Sequence, residues 1–272
     1  MKRLGVIGWP VAHSRSPAMF AAAFAACGLE DWSYQRLPIP PELFEETVRA
    51  LGASGFAGAN VTIPHKHAAL ALADHESAAA RAIGAANTLT FEADGAIAAE
   101  NTDAPGLIAA LGVPPRGMRA LVLGAGGSAR AAVWGLLNAG AAEVSVWNRT
   151  AQRATALAHE LGARVVREPI QADLLVNCTS VGLQRSATDA EALNQLGLSA
   201  DHVGGYAYVI DLVYRDGLTP LLAAACSRGA TTVDGLEVLV AQGALSFELW
   251  TGRPAPLADM RRGAGIHDAS GS

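Results

Sequence analysis

The sequence has few cysteines, no long apolar run and no excess of positive charge, and each shortage excludes a class of protein. Its three cysteines, Cys27, Cys178 and Cys226, are odd in number, far apart and set in apolar runs, which is typical of packed, reduced thiols. No stretch approaches the ~20 consecutive apolar residues that a membrane-spanning helix needs. The net charge of −5 provides no basic surface for nucleic acid or anionic membranes. We therefore expect a cytoplasmic protein that binds neither.

Short β-type runs alternate with alanine-rich helical stretches along most of the 272 residues, and the length suits two modest domains. This alternation predicts an α/β fold with crossover helices. In the first part of the chain we expect three strands and two helices, at 4–8, 34–39 and 59–64 and at 17–27 and 41–51, respectively. The segment 88–99 departs from this rhythm, because Asp94-Gly95 between two apolar runs predicts a hairpin.

From residue 119 the rhythm is more regular and predicts a doubly wound, Rossmann-type sheet. Its expected strands lie in RALVL, EVSVW, ARVV, DLLVN and YVID. The run 236–252 predicts one long amphipathic helix. The tail beyond Arg253 is rich in Pro, Gly and Ser, and we expect it to fray.

The stretch GAGGSA follows the strand ALVL and opens a helix, the context in which a glycine pattern indicates dinucleotide binding. Backbone N–H groups at such a helix start attract a pyrophosphate. The alternative is an ordinary tight turn between strand and helix. The residues of this predicted cofactor loop are Gly124, Ala125, Gly126, Gly127 and Ser128.

The end of the next strand predicts which nucleotide binds. An NAD site carries Asp or Glu about 20 residues after the first glycine, to bond the ribose 2′-hydroxyl. Asn148, Arg149 and Thr150 stand here instead, with Arg153 on the first turn of the next helix. A guanidinium pairs with a 2′-phosphate, so the sequence favours NADP, with Thr150 as a candidate cap of the helix. The alternative is that both arginines are solvated surface charges.

Polar residues gather at the ends of the first strands, where open α/β sheets bind ligands. Ser14 and Ser16 follow the first strand, and Asn60, Thr62 and Lys66 surround the third, with Pro64 expected to break that strand. Asn87 begins the hairpin, and Asp103 follows it. Each residue alone also fits a helix cap or a turn, as Ser16 and Asp103 would at helix starts.

In this order and spacing the sequence resembles the shikimate dehydrogenase family. The resemblance rests on GWPVAHSRSP, NVTIPHK, GAANT, NTDAPG, GAGGSARA, NRT, DLVY and VAQGA, and extends from Gly5 to about Gly252. It implies a substrate domain of residues 1–103 plus 237–272 and an NADP-binding Rossmann domain of residues 104–236. It also implies NADPH-dependent reduction of 3-dehydroshikimate to shikimate, on the route to chorismate and aromatic amino acids.

Matched motif by motif, the resemblance implies a role for each site residue. Ser14 and Ser16 would hold the substrate carboxylate, and Thr62, Asn87, Asp103 and Gln242 its ring hydroxyls. Lys66 and Asp103 would be the catalytic pair, and Tyr214 would lie near the substrate. Thr179, Ser180, Leu212 and Gly235 would line the cofactor. Phe20 replaces a histidine that is frequent in the family, and we expect this to alter packing more than chemistry.

Lys66 suits the reduction chemically. As hydride reaches a carbonyl carbon, negative charge grows on the oxygen, and an ammonium group can stabilise it and donate a proton. Working as a base in the reverse direction requires loss of that proton, which burial favours and a nearby Asp103 carboxylate opposes. The sequence leaves open which effect prevails.

Other functions fit the sequence less well. A quinate/shikimate dehydrogenase shares the fold and often uses NAD, which Arg149 disfavours. A catalytically silent NADP-binding regulator would lack Lys66 or Asp103. His65 and His67 could pair on a metal, but no third ligand follows at suitable spacing, so we expect no metal site. Monomer and homodimer both stay open.

Overall fold

The strands and helices form two six-stranded sheets, each in its own compact unit of the chain. The structure is a computed structural model that describes residues 1–183 and 188–266. One unit, here called unit 1, comprises Met1–Gly106 and the described residues from Leu239 onward. The other, unit 2, comprises Leu107–Val238. Among the residues described, no helix combines the length and apolar content needed to cross a bilayer.

Unit 1 contains a mixed sheet. Its strands are β1 (Lys2–Gly8), β2 (Trp32–Pro38), β3 (Phe56–Val61), β4 (His75–Glu76), β5 (Thr88–Phe91) and β6 (Ile97–Glu100). The helices between these strands are α1 (Ser16–Ala26), a 3₁₀ turn (Pro41–Leu43), α2 (Phe44–Ala53), α3 (Lys66–Ala71) and α4 (Ala78–Ile83). The next helix, α5 (Asp103–Leu111), begins in unit 1 and ends in unit 2. The strand order is β2-β1-β3-β5-β6-β4, and β1 pairs in parallel with both β2 and β3.

The predicted hairpin is present. β5 and β6 are antiparallel, with Phe91 opposite Ile97, and the Asp94-Gly95 turn between them has Gly95 at φ 93°. β5 also pairs antiparallel with β3, so that Asn60 lies opposite Thr88. This pairing places polar residues of distant sequence side by side at one point of the sheet.

Unit 2 contains a wholly parallel sheet. Its strands are β7 (Arg119–Leu123), β8 (Glu143–Trp147), β9 (Arg164–Val165), β10 (Leu174–Asn177), β11 (Tyr208–Asp211) and β12 (Thr231–Val233). Its helices are α6 (Gly127–Asn138), α7 (Ala151–Leu161), α8 (Asp189–Gln195), α9 (Ala200–Val203) and α10 (Pro220–Ser227). The order is β12-β11-β10-β7-β8-β9, which read from β7 as first strand is the doubly wound order 3-2-1-4-5-6 reversed. The Rossmann-type prediction is confirmed.

Buried apolar side chains stabilise both sheets. In unit 2, Val122, Val146 and Val176 are fully buried, as expected of parallel strands covered on both faces. In unit 1, one face of the sheet packs against α2, and an aromatic cluster around Phe20 and Phe247 joins α1 to the last long helix.

The chain end differs from the prediction. The expected helix is present as α11 (Gly235–Thr251), and the tail up to residue 266 is not frayed as predicted, because it contains α12 (Leu257–Ala264). The last part of the predicted frayed tail, residues 267–272, lies outside the described residues. Met260 and Ala264, one turn apart, are fully buried in the same cluster as Met19 of α1. Proline and glycine in the tail concealed this short apolar stripe.

Candidate active site

Lys66 and Asp103 form an ion pair in unit 1. β3 ends at Val61 rather than continuing to Pro64 as predicted, and α3 begins at Lys66 itself. The Nζ atom of Lys66 lies 2.5 Å from Oδ2 of Asp103, at the start of α5. The lysine is only 8% exposed, so water screens the pair weakly. The two residues predicted as the catalytic pair are thus in direct contact.

Asn101, which the sequence analysis missed, leaves the Asp103 carboxylate available. Its Oδ1 accepts a hydrogen bond from the backbone N–H of Ala104 at 3.2 Å, and so satisfies the first turn of α5. Its Nδ2 donates to the carbonyl of Ala85 at 2.8 Å. Asp103 is therefore not used as the helix cap, the simpler role that its position suggested.

Asn87 connects the ion pair to the neighbouring polar groups. Its Nδ2 lies 2.9 Å from Asp103 Oδ1, 2.9 Å from Thr102 Oγ1 and 3.0 Å from Gln242 Oε1. Its Oδ1 accepts the backbone N–H of Thr102 at 2.7 Å. Gln242 comes from α11, and its Nε2 donates to the carbonyl of Leu239 at 2.8 Å. Three predicted substrate residues, Asn87, Asp103 and Gln242, therefore lie together.

A fully buried hydroxyl network lies behind Asn87. Ser246 Oγ is 2.9 Å from Thr88 Oγ1 and 3.2 Å from Thr102 Oγ1, and it accepts from Asn60 Nδ2 at 2.9 Å. Asn60 Oδ1 accepts from Tyr34 at 2.8 Å. The amide of Asn60, one of the polar residues that the sequence analysis placed at strand ends, is thus used inside the protein. The network was not predicted, because each of its members is an isolated polar residue in an apolar segment and no local pattern connects them.

Ser14, Ser16 and Thr62 provide hydroxyl groups at the ends of β1 and β3. The Oγ of Ser14 accepts the backbone N–H of Ser16 at 3.3 Å, which leaves its own proton to donate. Ser16 is the first residue of α1, behind an Arg15 N-cap without a side-chain bond, so it does not cap the helix. Within the described parts of the chain, the hydroxyls of Ser16 and Thr62 have no hydrogen-bond partner. All three hydroxyls can therefore donate to a ligand.

Phe20 packs in the apolar interior of unit 1. Its ring is fully buried and stacks on Tyr34 with centroids 4.2 Å apart, and the same Tyr34 donates to Asn60. The neighbouring His65 also has a structural role: its Nε2 is 2.7 Å from the Ile39 carbonyl and its ring stacks on Phe44. Burial lowers the pKa of His65, against the opposing effect of the Ile39 carbonyl. His67 binds the Gly84 carbonyl instead.

The glycine turn of unit 2 has the features of a phosphate cradle. Gly124 follows β7 with φ 113°, a backbone conformation that favours glycine, and a Cβ there would lie only 3.2 Å from the backbone of Cys178 after β10. Gly126 precedes α6, and a Cβ on it would meet no atom within 4 Å. Gly127 and Ser128 open the helix, and Ala125 is half-buried beside them. The turn lies where the strand order reverses, at the switch point that binds dinucleotides.

The residues after β8 leave two arginines exposed. Asn148 Nδ2 donates to the Thr150 carbonyl at 2.9 Å and shapes the turn into α7. Thr150 occupies the N-cap position, but its side chain makes no capping bond. Arg149 and Arg153 are exposed and form no ion pair with any described residue. Their charges are therefore available to a phosphate.

Asn177 and Asp211 hold the loops predicted to line the cofactor. Asn177 Oδ1 accepts from the N–H and the hydroxyl of Thr179, at 3.0 and 2.7 Å, and its carbonyl accepts from Leu212 N–H. Asn177 Nδ2 donates to Asp211 Oδ1 at 2.8 Å. A Cβ on Gly235 would lie 2.6 Å from the Leu212 carbonyl oxygen, which explains glycine there. Ser180 is exposed and Tyr214 half-buried in the same two loops.

Asp211 is a buried carboxyl group with an unusual protonation equilibrium. It accepts from Thr219 Oγ1 at 2.6 Å and from the Val213 N–H at 3.1 Å. Burial nevertheless raises the pKa of Asp211 to about 6, and the negative charge of Asp234 adds to this shift. Burial likewise raises the pKa of Asp234, whose carboxylate accepts the Leu236 N–H.

Comparison with protein families matches most of the chain. The family models are the shikimate dehydrogenase substrate binding domain over residues 6–89, shikimate / quinate 5-dehydrogenase over residues 111–189, and the shikimate 5′-dehydrogenase C-terminal domain over residues 235–262.

Similar proteins match over nearly their whole length. Shikimate dehydrogenase (NADP(+)) of Methylobacterium radiotolerans is 47% identical, with 95% of each chain covered. The enzyme of the same name from Paracoccus denitrificans is 45% identical. The crystal structure of shikimate 5-dehydrogenase from Thermus thermophilus, in complex with NADP(H) and shikimate, superposes with a TM-score of 0.86 at 43% identity. It covers 97% of this chain and 99% of its own.

A 3-2-1-4-5-6 sheet with a glycine turn at its switch point defines the broad class, a dinucleotide-binding α/β protein. Unit 1, with its mixed sheet and the Lys66–Asp103 ion pair, distinguishes this chain from proteins that share only the Rossmann-type sheet. The chain belongs to the shikimate dehydrogenase family.

Proposed function

We propose that this chain catalyses the reversible NADP-dependent interconversion of 3-dehydroshikimate and shikimate, a step of chorismate and aromatic amino acid biosynthesis. The proposal rests on family membership together with one observation, the 2.5 Å contact between Lys66 and Asp103. The substrate is a small molecule, and a cytoplasmic location accords with three free cysteines, although Cys226 is exposed rather than packed as expected.

Lys66 is the proposed general acid. NADPH, when bound, supplies the hydride to the carbonyl carbon of 3-dehydroshikimate. Lys66 would donate its proton to the oxygen on which negative charge develops, and Asp103 would stabilise and orient the ammonium group. In the reverse direction the same Nζ would accept the proton of the shikimate hydroxyl.

The substrate would be oriented by the hydroxyl and amide groups described above. Ser14 and Ser16 suit its carboxylate, because both hydroxyls can donate. Thr62, Asn87 and Gln242 suit the ring hydroxyls, because each has a polar atom beside the ion pair or at the end of β3. Tyr214, carried over from the family resemblance, completes the proposed substrate residues.

The cofactor would be bound by unit 2. The turn from Gly124 to Ser128 would hold the pyrophosphate on the N-terminus of α6. Arg149 and Arg153 would pair with the 2′-phosphate, and Asn148 and Thr150 would set the turn that carries them. The loops containing Thr179, Ser180 and Leu212, with Gly235, would line the remainder of the cofactor.

The function is tested by absorbance at 340 nm with purified protein, using shikimate or quinate with NADP or NAD in all four combinations. We expect the highest kcat/KM with shikimate and NADP. Higher activity with quinate and NAD would instead identify a quinate/shikimate dehydrogenase. Binding of NADP without turnover of either acid would identify a catalytically silent regulator.

A further inference from the structure

Arg36 contacts residues 9–16, the segment between β1 and the first residue of α1 that contains Ser14 and Ser16 and is here called the serine loop. Arg36 itself is not among the residues assigned to the substrate. It stands on β2, next to β1, in register with Val6. Its Nε and Nη2 atoms donate to the backbone carbonyl oxygen of Ser14 at 3.2 and 2.7 Å. Two nitrogen atoms of one guanidinium therefore donate hydrogen bonds to a single carbonyl oxygen, in the segment between β1 and α1.

The charge of Arg36 is not neutralised by a neighbouring acid. Its side chain is exposed, and it forms no ion pair with any residue of 1–183 or 188–266. Arg15, between the two serines, has its Nη1 atom 4.0 Å from the position that a Cβ on Gly265 would occupy, just after α12. Arg36 thus brings a guanidinium charge that no described acid neutralises into direct contact with the serine loop.

The serine loop itself offers only neutral donors. Ser14 is 5% exposed and Ser16 is 4% exposed, and each can donate one hydroxyl proton. A carboxylate held by hydroxyls alone would lose hydration without gaining a charge partner. The guanidinium of Arg36, which is bonded to the backbone carbonyl of Ser14, supplies that charge and also fixes the loop.

We propose that Arg36 is a positioning and specificity residue, which orders the Ser14 backbone and makes the serine loop selective for a negatively charged substrate group. This inference rests on the proposed function, in which Ser14 and Ser16 bind the substrate carboxylate. Arg36 does not touch the reacting atoms, so its effect falls on substrate affinity rather than on the chemical step.

The test compares shikimate with methyl shikimate, which lacks the negative charge, as substrate or as competitive inhibitor. Arg36→Gln removes the charge, and Arg36→Lys keeps the charge but loses the two-armed contact. Arg49→Gln is the matched control, because Arg49 is an exposed arginine of unit 1 paired with Glu45 on α2. All three variants change exposed positions, so we expect them to fold with melting temperatures within about 2 °C of the parent.

For Arg36→Gln we expect KM for shikimate to rise about five- to tenfold, while kcat and KM for NADP stay within about twofold. The affinity for the methyl ester should change less than about twofold, and Arg36→Lys should lie between the parent and the glutamine variant. Arg49→Gln should match the parent.

Two results would overturn the role of Arg36: an unchanged KM for shikimate in Arg36→Gln, or equal losses for the acid and the ester, since equal losses mean loop packing without charge selection. A parent protein inactive toward shikimate would refute the proposed function instead, and so the two failures are distinguishable.

Discussion

The Nδ2 atom of Asn87 lies 2.9 Å from Oδ1 of Asp103, so the carboxylate that contacts Lys66 through one oxygen is fixed through the other. An aspartate held in this way cannot rotate freely when the lysine is removed. Asn87 in turn contacts Thr102, which directly precedes Asp103, and Gln242 of α11. The ion pair is therefore supported by groups from distant parts of the chain.

The first prediction concerns Lys66→Ala. We expect kcat to fall by about 10² or more, because the general acid is lost, while the KM values change only a few-fold because Asn87 still fixes Asp103. Steady-state kinetics in both directions measures this. Lys2→Ala is the matched control, since Lys2 and Lys66 are the two lysines of the sequence. A kcat near the parent value would remove Lys66 from the mechanism.

The second prediction concerns Arg149→Ala. KM for NADP should rise about tenfold or more and KM for NAD less than about twofold, because only NADP carries a 2′-phosphate. Arg228→Ala, which removes an arginine of unit 2 paired with Asp201, should change neither value. Equal increases for both cofactors would contradict the phosphate assignment.

The third prediction concerns the pH dependence of stability in Asp211→Asn. Between the ordinary aspartate pKa of 3.8 and the raised value of about 6, the folded protein binds more protons at Asp211 than the unfolded chain does. The contribution of Asp211 to the free energy of unfolding therefore falls as pH rises through this window. Asparagine does not titrate, so the variant should gain about 2 kcal/mol relative to the parent between pH 4 and pH 7.

Urea unfolding at several pH values measures this difference. Asp201→Asn is the control, because that side chain is 87% exposed. A difference between Asp211→Asn and the parent that stays constant with pH would show that Asp211 titrates alike in the folded and unfolded chain. At any pH, the lost hydrogen bond from Thr219 adds a constant offset to the comparison.

The fourth prediction concerns Ser246→Ala. The substitution deprives Asn60 Nδ2, Thr88 and Thr102 of a fully buried partner, which should lower the free energy of unfolding by about 1–3 kcal/mol. Chemical unfolding checks this, with the exposed Ser227→Ala as the control. A loss no greater than that of the control would mean that water or a rearranged hydroxyl replaces Ser246.

Local sequence patterns were sufficient for most of the fold. Strand–helix alternation after Arg119, the Asp94-Gly95 hairpin and the long helix ending at Thr251 all follow from periodicity and turn residues. Pro64 correctly indicated a break before Lys66, although the strand ends earlier, at Val61. The short helix α12 was missed because its two buried residues, Met260 and Ala264, carry too little periodic signal.

The candidate site was predicted less completely, and the reason is sequence separation. Lys66 and Asp103 could be proposed from motifs, and their contact agrees with that. Ser246 and Thr88 are 158 residues apart, and Asn177 and Asp211 are 34 residues apart, so no local pattern connects them. Arg36 was missed for the same reason, because its partner Ser14 lies 22 residues away.

Gln242 and Ser246 lie in the part of α11 that follows Leu107–Val238 in the chain. A ribosome therefore releases β1 to β6, then the complete dinucleotide-binding sheet, and only afterwards the helix that satisfies Asn87, Asn60 and Thr88. Until that helix emerges, the amide of Asn60 has no Ser246 to bind. During synthesis, Asn60, Asn87 and Thr88 therefore emerge long before Gln242 and Ser246 do. These early residues can form their final hydrogen bonds only after unit 2 has been synthesised.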